Sequence, residues 1–132
     1  FWNDAGEGAM KAVRDGGTYH TAPASLRLEN IGGRRKAQIA TIVEGKAGEK
    51  IAVKGWVKSE INGMTQLFVQ AYKDDWTPIG TQQITILEGN SDWTLSRKTI
   101  TLPEGTARYG VALYIEGDGK AWLDDVTVTR EP

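Results

Sequence analysis

Two stretches of this sequence place aromatic and hydrogen-bonding side chains at alternate positions. Phe68, Gln70 and Tyr72 alternate with Leu67, Val69 and Ala71, while Arg108, Tyr114 and Glu116 fall between Tyr109, Val111, Leu113 and Ile115. In an extended chain that period sends the first set to one face and the apolar set to the other. Flat rings stack on apolar surfaces, and amide, guanidinium and carboxylate groups hydrogen-bond around them. Trp76, in the loop Lys73–Gly80, is a further ring able to join such a face. Exposed aromatics call for a partner more than exposed polar groups do. The plainer alternative for Tyr72 and Tyr114 is cross-strand packing on a half-buried sheet.

Bond-making chemistry is poorly provided for. His20 is the one histidine and cysteine is absent, which removes thiolate nucleophiles and leaves a His-based triad without a spare. A glycosidase needs two carboxyl groups, one of them kept protonated by its surroundings. Asp74-Asp75 and Asp124-Asp125 are adjacent pairs, so in a regular strand their side chains point to opposite faces. Asp74-Asp75 reads as turn chemistry. No glycine-rich loop opens a helix to hold phosphate. The residues favour binding over catalysis, with a small lyase or hydrolase as the enzyme alternative.

Composition narrows the classes further. The 132 residues carry 16 Lys and Arg against 17 Asp and Glu, a net charge of −1 with no basic block. A nucleic-acid binder needs a clustered positive face, so that class is disfavoured. No stretch approaches the roughly 18 apolar residues of a helical membrane span. Five Trp and regular apolar positions argue against disorder. The length suits one domain, 1–132, with its own core.

The elements that must position these side chains are strands. Apolar residues alternate over short runs broken by turn residues about every dozen positions. The runs are 9–14, 25–30, 36–43, 51–59, 65–73, 82–87, 93–102, 107–116 and 120–129. Asn62-Gly63 and Asp118-Gly119 between them are the strongest hairpin signals. Gly6 and Gly8 argue against a helix over 5–13. Each strand has one buried and one wet face, which predicts an all-β sandwich of two packed antiparallel sheets.

Several motifs resemble jelly-roll carbohydrate-binding modules. Ala24-Ser25-Leu26-Arg27-Leu28-Glu29 is similar to their second strand, as is the stretch from Gly48 through Lys50-Ile51-Ala52-Val53 to Trp56 and Lys58. Ser91-Asp92-Trp93-Thr94, leading to Pro103-Glu104-Gly105, resembles their late strand and turn, and Ala121-Trp122-Leu123-Asp124-Asp125-Val126 their closing strand. In order over residues 19–129 these motifs resemble families 4, 9, 16 and 22. Such modules open with an N-terminal strand carrying an Asn-x-x-Phe-Glu pattern. Here the chain starts Phe1-Trp2-Asn3-Asp4, so that strand is either left out or its place is filled otherwise.

The resemblance implies that the strands near 36–43, 65–73, 82–87 and 107–116 share a sheet with a concave outer face. Phe68, Gln70, Tyr72, Arg108, Tyr114 and Glu116 then face a polysaccharide of β-glucan, xylan or mannan type, with Trp76 in the adjoining loop. It also implies structural calcium at Asp124 and Asp125, which would raise thermal stability without changing sugar affinity. The alternative for that pair is capping of a sheet edge beside Lys120 or Arg130. Trp93 is expected at the core edge and Trp56 beneath the N-terminal segment. The implied protein is a monomeric, non-catalytic, extracellular module tethered to a polysaccharide-degrading enzyme. The competing reading is a jelly roll with a structural or protein-contact role and no sugar ligand.

Overall fold

The computed structural model describes residues 3–4, 10–18, 20, 25–30 and 36–131. Eight strands carry the fold: β1 (Asn3–Asp4), β2 (Met10–Asp15), β3 (Ser25–Asn30), β4 (Lys36–Glu44), β5 (Lys50–Tyr72), β6 (Pro78–Glu88), β7 (Ser91–Thr101) and β8 (Arg108–Glu131). All pairings are antiparallel.

Two of these strands are long enough to serve both layers of a sandwich. β5 and β8 pair with each other from Lys50↔Glu131 to Tyr72↔Arg108. Residues 64–72 of β5 and 108–116 of β8 lie between β6 on one side and β4 and β1 on the other. Residues 50–59 and 119–131 lie between β7 and the β3–β2 pair. The result is two five-stranded layers, each centred on half of β5 and half of β8. This is the expected all-β sandwich, and the strands near 36–43, 65–73, 82–87 and 107–116 do share one layer.

The hairpins expected at Asn62-Gly63 and Asp118-Gly119 do not form. Asn62 pairs with Asp118 and Gly63 with Gly117, so both segments are a corner where the two long strands pass together from one layer to the other. The backbones approach closely there. A Cβ on Gly63 would sit 1.8 Å from the Glu116 carbonyl oxygen, and one on Gly117 2.2 Å from that of Asn62. Only glycine fits such an approach. Asn-Gly is a local signal for tight bending, but long-range pairing decides between hairpin and corner.

The core forms where the inward phases meet. Leu67, Val69, Val111, Leu113 and Ile115 from one layer cluster with Ile51, Val53, Val57, Ile100 and Leu123 from the other. Tyr109 and Leu102 close one end of it. β1, at the edge of β4, occupies the position beside that strand. Trp93 differs from expectation. It is half-buried outside the core cluster, because it shares the outward phase of Leu95, the partner of Trp56, whereas Ser96 and Ile100 take the inward phase of this strand.

Candidate functional site

The register of the β6–β5–β8–β4 layer places the outward side chains in rows. One row is Pro78, Tyr72, Arg108 and Glu44; the next is Thr81, Gln70, Gly110 and Ile42. Beyond them lie Gln83, Phe68, Ala112 and Ala40, then Ile86, Gln66, Tyr114 and Gln38. Phe68, Gln70, Tyr72, Arg108, Tyr114 and Glu116 are all half-buried on this one face, as their phase predicts. Gly110, Ala112 and Ala40 give its middle a floor of small residues. Thr81, Gln83, Gln38, Ile42 and Ile86 also belong to the face. They escaped the sequence reading because their strands do not alternate cleanly.

The aromatic groups gather at two places. At one end Tyr72 meets Trp76, with ring centroids 5.6 Å apart. Further along, Phe68 meets Tyr114 edge-on at 6.5 Å. Tyr72 and Phe68 are four residues apart on one strand, a separation of about 13 Å at the usual strand rise. Burial raises the Tyr72 hydroxyl above its ordinary pKa, so the ring stays neutral across the physiological range.

The loop between β5 and β6 is built to hold Trp76 outward. Asp75 Oδ1 accepts hydrogen bonds from the Thr77 amide at 3.1 Å and the Thr77 hydroxyl at 2.7 Å, which depresses the Asp75 pKa. Trp76 N donates to the Lys73 carbonyl, and Lys73 N to that of Thr77, both at 2.9 Å. The arrangement leaves Trp76 53% exposed with φ at +70°, a left-handed conformation that is costly for a bulky side chain. Arg108 anchors the loop. Its Nη1 donates to the carbonyls of Lys73 and Asp74 at 3.2 and 2.9 Å, and its guanidinium lies 4.3 Å from the centre of the Trp76 ring.

Gln70 is likewise engaged within the sheet. Its Oε1 accepts from the Thr81 hydroxyl, and its Nε2 donates to the Gly80 carbonyl at 2.8 Å. Glu116 sits at the far end, by the corner. There Asn62, Met64, Glu88, Glu116 and the adjoining glycines line a shallow cavity of about 690 Å³. The structure therefore gathers Tyr72, Trp76 and Arg108 at one end, Phe68 and Tyr114 along the face, and Glu116 apart from both.

Asp124 and Asp125 lie on the other layer and behave differently from a regular strand pair. β8 carries a bulge opposite Gly55, between the pairs Lys54↔Thr127 and Trp56↔Asp124, and Asp125 takes φ at +53°. The bulge turns both carboxylates to the same side, toward His20, where a regular strand would part them. Asp124 Oδ2 accepts from the His20 amide and Asp125 Oδ2 faces His20 Nδ1, each at 3.0 Å; Asp124 Oδ1 accepts from the Asp125 amide at 2.8 Å. The His20 ring stacks on Trp56 at 3.9 Å and meets Trp93 edge-on at 5.9 Å. Trp56 is thus covered by residue 20, in line with expectation. Calcium needs six to eight oxygen ligands. Here the pair is met by N–H groups, and among the described residues no three His, Asp or Glu side chains form a group able to hold a metal ion.

With this geometry in view, comparison with known proteins places the fold. No protein-family model matches the chain, and no curated protein does. Solved structures do. The xylan-binding domain CBM22-1 of Paenibacillus barcinonensis Xyn10C superimposes with a TM-score of 0.73 at 14% identity, covering 98% of this chain and 85% of that one. A family 16 carbohydrate-binding module matches with a TM-score of 0.69 at 18% identity, covering 97% and 89%. The enzymatically active domain of tailspike protein 4 from bacteriophage CBA120 reaches 0.76 at 11% identity; the match covers 99% of this chain but 19% of the tailspike chain. The chain has the jelly-roll fold of carbohydrate-binding modules.

Proposed function

We propose that this chain is a non-catalytic carbohydrate-binding module that holds a polysaccharide along the outer face of the β6–β5–β8–β4 layer. The observation carrying the proposal is Trp76, a largely exposed ring held in a left-handed conformation beside Tyr72 by a loop pinned through Arg108. A strained, exposed aromatic with its own scaffolding is what a preformed stacking platform requires. Tyr72 and Trp76 stack on one sugar ring; Phe68 and Tyr114 serve a second region of the chain. Glu116 hydrogen-bonds hydroxyls at the far margin, and Gln70, its amide N–H groups held by the Ala71 and Gly80 carbonyls, accepts from a hydroxyl through Oε1 between the two aromatic pairs. Arg108 acts as a positioning residue for Trp76.

The fold neighbours support a β-linked polysaccharide as the ligand. One is a xylan-binding domain, and another, at 18% identity and a TM-score of 0.62, was solved with β-1,4-galactotriose. A xylan, β-glucan, mannan or galactan fits this reading. So does an extracellular setting in which the module, joined to a polysaccharide-degrading enzyme, raises that enzyme's effective concentration at its substrate.

Affinity electrophoresis in gels containing each soluble polysaccharide tests the proposal. Retardation by at least one of them, lost in Trp76→Ala and Tyr72→Ala, is the expected result. Retardation unchanged in both variants overturns the site. No retardation on any polysaccharide favours the structural or protein-contact reading.

A further inference from the structure

The opposite layer carries a second recess that the aromatic face does not explain. It measures about 350 Å³, at the small end of ligand-site volumes, and Lys54, Arg97, Lys98, Thr99, Thr127 and Thr129 line it. The register accounts for the grouping. Lys54 lies directly between Arg97 on β7 and Thr127 on β8, and the neighbouring row sets Ala52 between Thr99 and Thr129. Like charges directly opposed across strands are destabilising, yet Lys54 and Arg97 are so placed in a chain whose net charge is −1. Among the described residues neither forms an ion pair; Lys98 donates to the Gln83 carbonyl at the edge of the other layer. Asp124, in the row beyond Lys54, has its carboxylate turned to the His20 amide.

We infer that the Lys54–Arg97 recess is a second binding site, specific for the oxyanion of an acidic glycan, either a uronate carboxylate or a sulfate ester. Two cations supply charge-assisted hydrogen bonds to the oxyanion, the guanidinium in bidentate fashion. The threonine hydroxyls beside them can donate to or accept from sugar hydroxyls. The small floor at Ala52 leaves space for a ring. An acidic glycan suits the site better than nucleic acid, because a chain of net charge −1 opposes a phosphate backbone extending beyond the recess.

Calorimetric titration of the whole chain with trigalacturonate, with a sulfated oligosaccharide and with a neutral oligosaccharide of equal length tests this. One of the two acidic probes is expected to bind at low salt, and which one identifies carboxylate or sulfate as the ligand group. Lys54→Ser combined with Arg97→Ser should weaken binding at least about tenfold, while Lys54→Arg retains it. The double variant should melt no lower than wild type, since it removes an opposed like-charge pair. Tyr72→Ala should bind the acidic probe normally, which separates failure of this site from failure of the aromatic face. The inference is overturned if neither acidic probe binds, if the double variant binds as wild type does, if the neutral oligosaccharide competes equally, or if a short DNA duplex binds as tightly as the acidic glycan.

Discussion

At the scale of single residues, strain and function meet at Trp76. Its φ of +70° is a conformation that asparagine adopts at little cost and tryptophan does not. Trp76→Asn should therefore hold or raise stability, by up to about 1 kcal/mol, while abolishing the stacking platform. A melting temperature at or above wild type together with lost polysaccharide retardation is the expected pair of results; a clear fall in melting temperature would show that the ring is structural. Arg108→Ala should weaken binding with Trp76 still present, because the loop loses its bonds to the Lys73 and Asp74 carbonyls. Asp15 shows the same economy of contacts in a structural role. The Trp122 indole donates to its Oδ2 at 2.9 Å, with further bonds from the Gly17 amide, Arg27 and the Thr18 amide, and together they lower its pKa from 3.8 to about 2. A carboxyl depressed in the folded state adds stability above its unfolded pKa and loses it as pH falls through the folded value. Between pH 3.8 and about 2, wild type should lose melting temperature more steeply than Asp15→Asn. Parallel profiles would remove Asp15 from the acid response.

At the scale of elements, the corner is the most constrained part of the chain. A methyl group at Gly63 collides with the Glu116 backbone at 1.8 Å, whereas one at Gly80 meets Pro103 at an ordinary 3.7 Å. Gly63→Ala should cost at least about 2 kcal/mol or prevent folding, and Gly80→Ala should stay within about 1 kcal/mol; denaturant titration of both variants decides it. The corner also shows what was legible in the sequence. Alternation alone assigned the buried and outward phases of residues 67–72 and 109–116 and placed β3 at its observed bounds, because side-chain period is a local property. The sharing of a layer by strands distant in sequence came from the family resemblance, since pairing partners leave no local mark. The hairpins at 62–63 and 118–119 failed for that same reason. The bulge at Asp124-Asp125 was visible in principle: buried Ala121 and Leu123 are odd-numbered, while Val126 and Val128, which pack on the same core, are even. That change of phase within one run marks an inserted residue. Trp76's conformation was not legible, because it depends on Arg108 reaching across from another strand.

At the scale of the whole molecule, β5 and β8 make the two layers inseparable. Each strand is central in both, so opening one layer would strip central strands from the other or break both chains at the glycine corner. Core residues from the two layers interdigitate in a single cluster, with no apolar boundary along which the sandwich could divide. The two proposed sites, on opposite outer faces, are thus carried by one rigid unit, and neither ligand can stabilise its own layer alone. Equilibrium unfolding should accordingly be a single transition. In a Trp2→Phe/Trp76→Tyr variant, which keeps a ring in the β5–β6 loop, tryptophan fluorescence reports on the layer holding Trp56, Trp93 and Trp122, while far-UV circular dichroism reports on all strands; their midpoints should coincide in the same denaturant titration. Saturation of the aromatic face with its polysaccharide should move both midpoints together, by the mass-action stabilisation of the native state, although Trp56 and Trp122 lie on the layer opposite the ligand. Two separated midpoints, or a ligand shift confined to the dichroism signal, would show that the layers unfold independently and that the corner is a hinge between them.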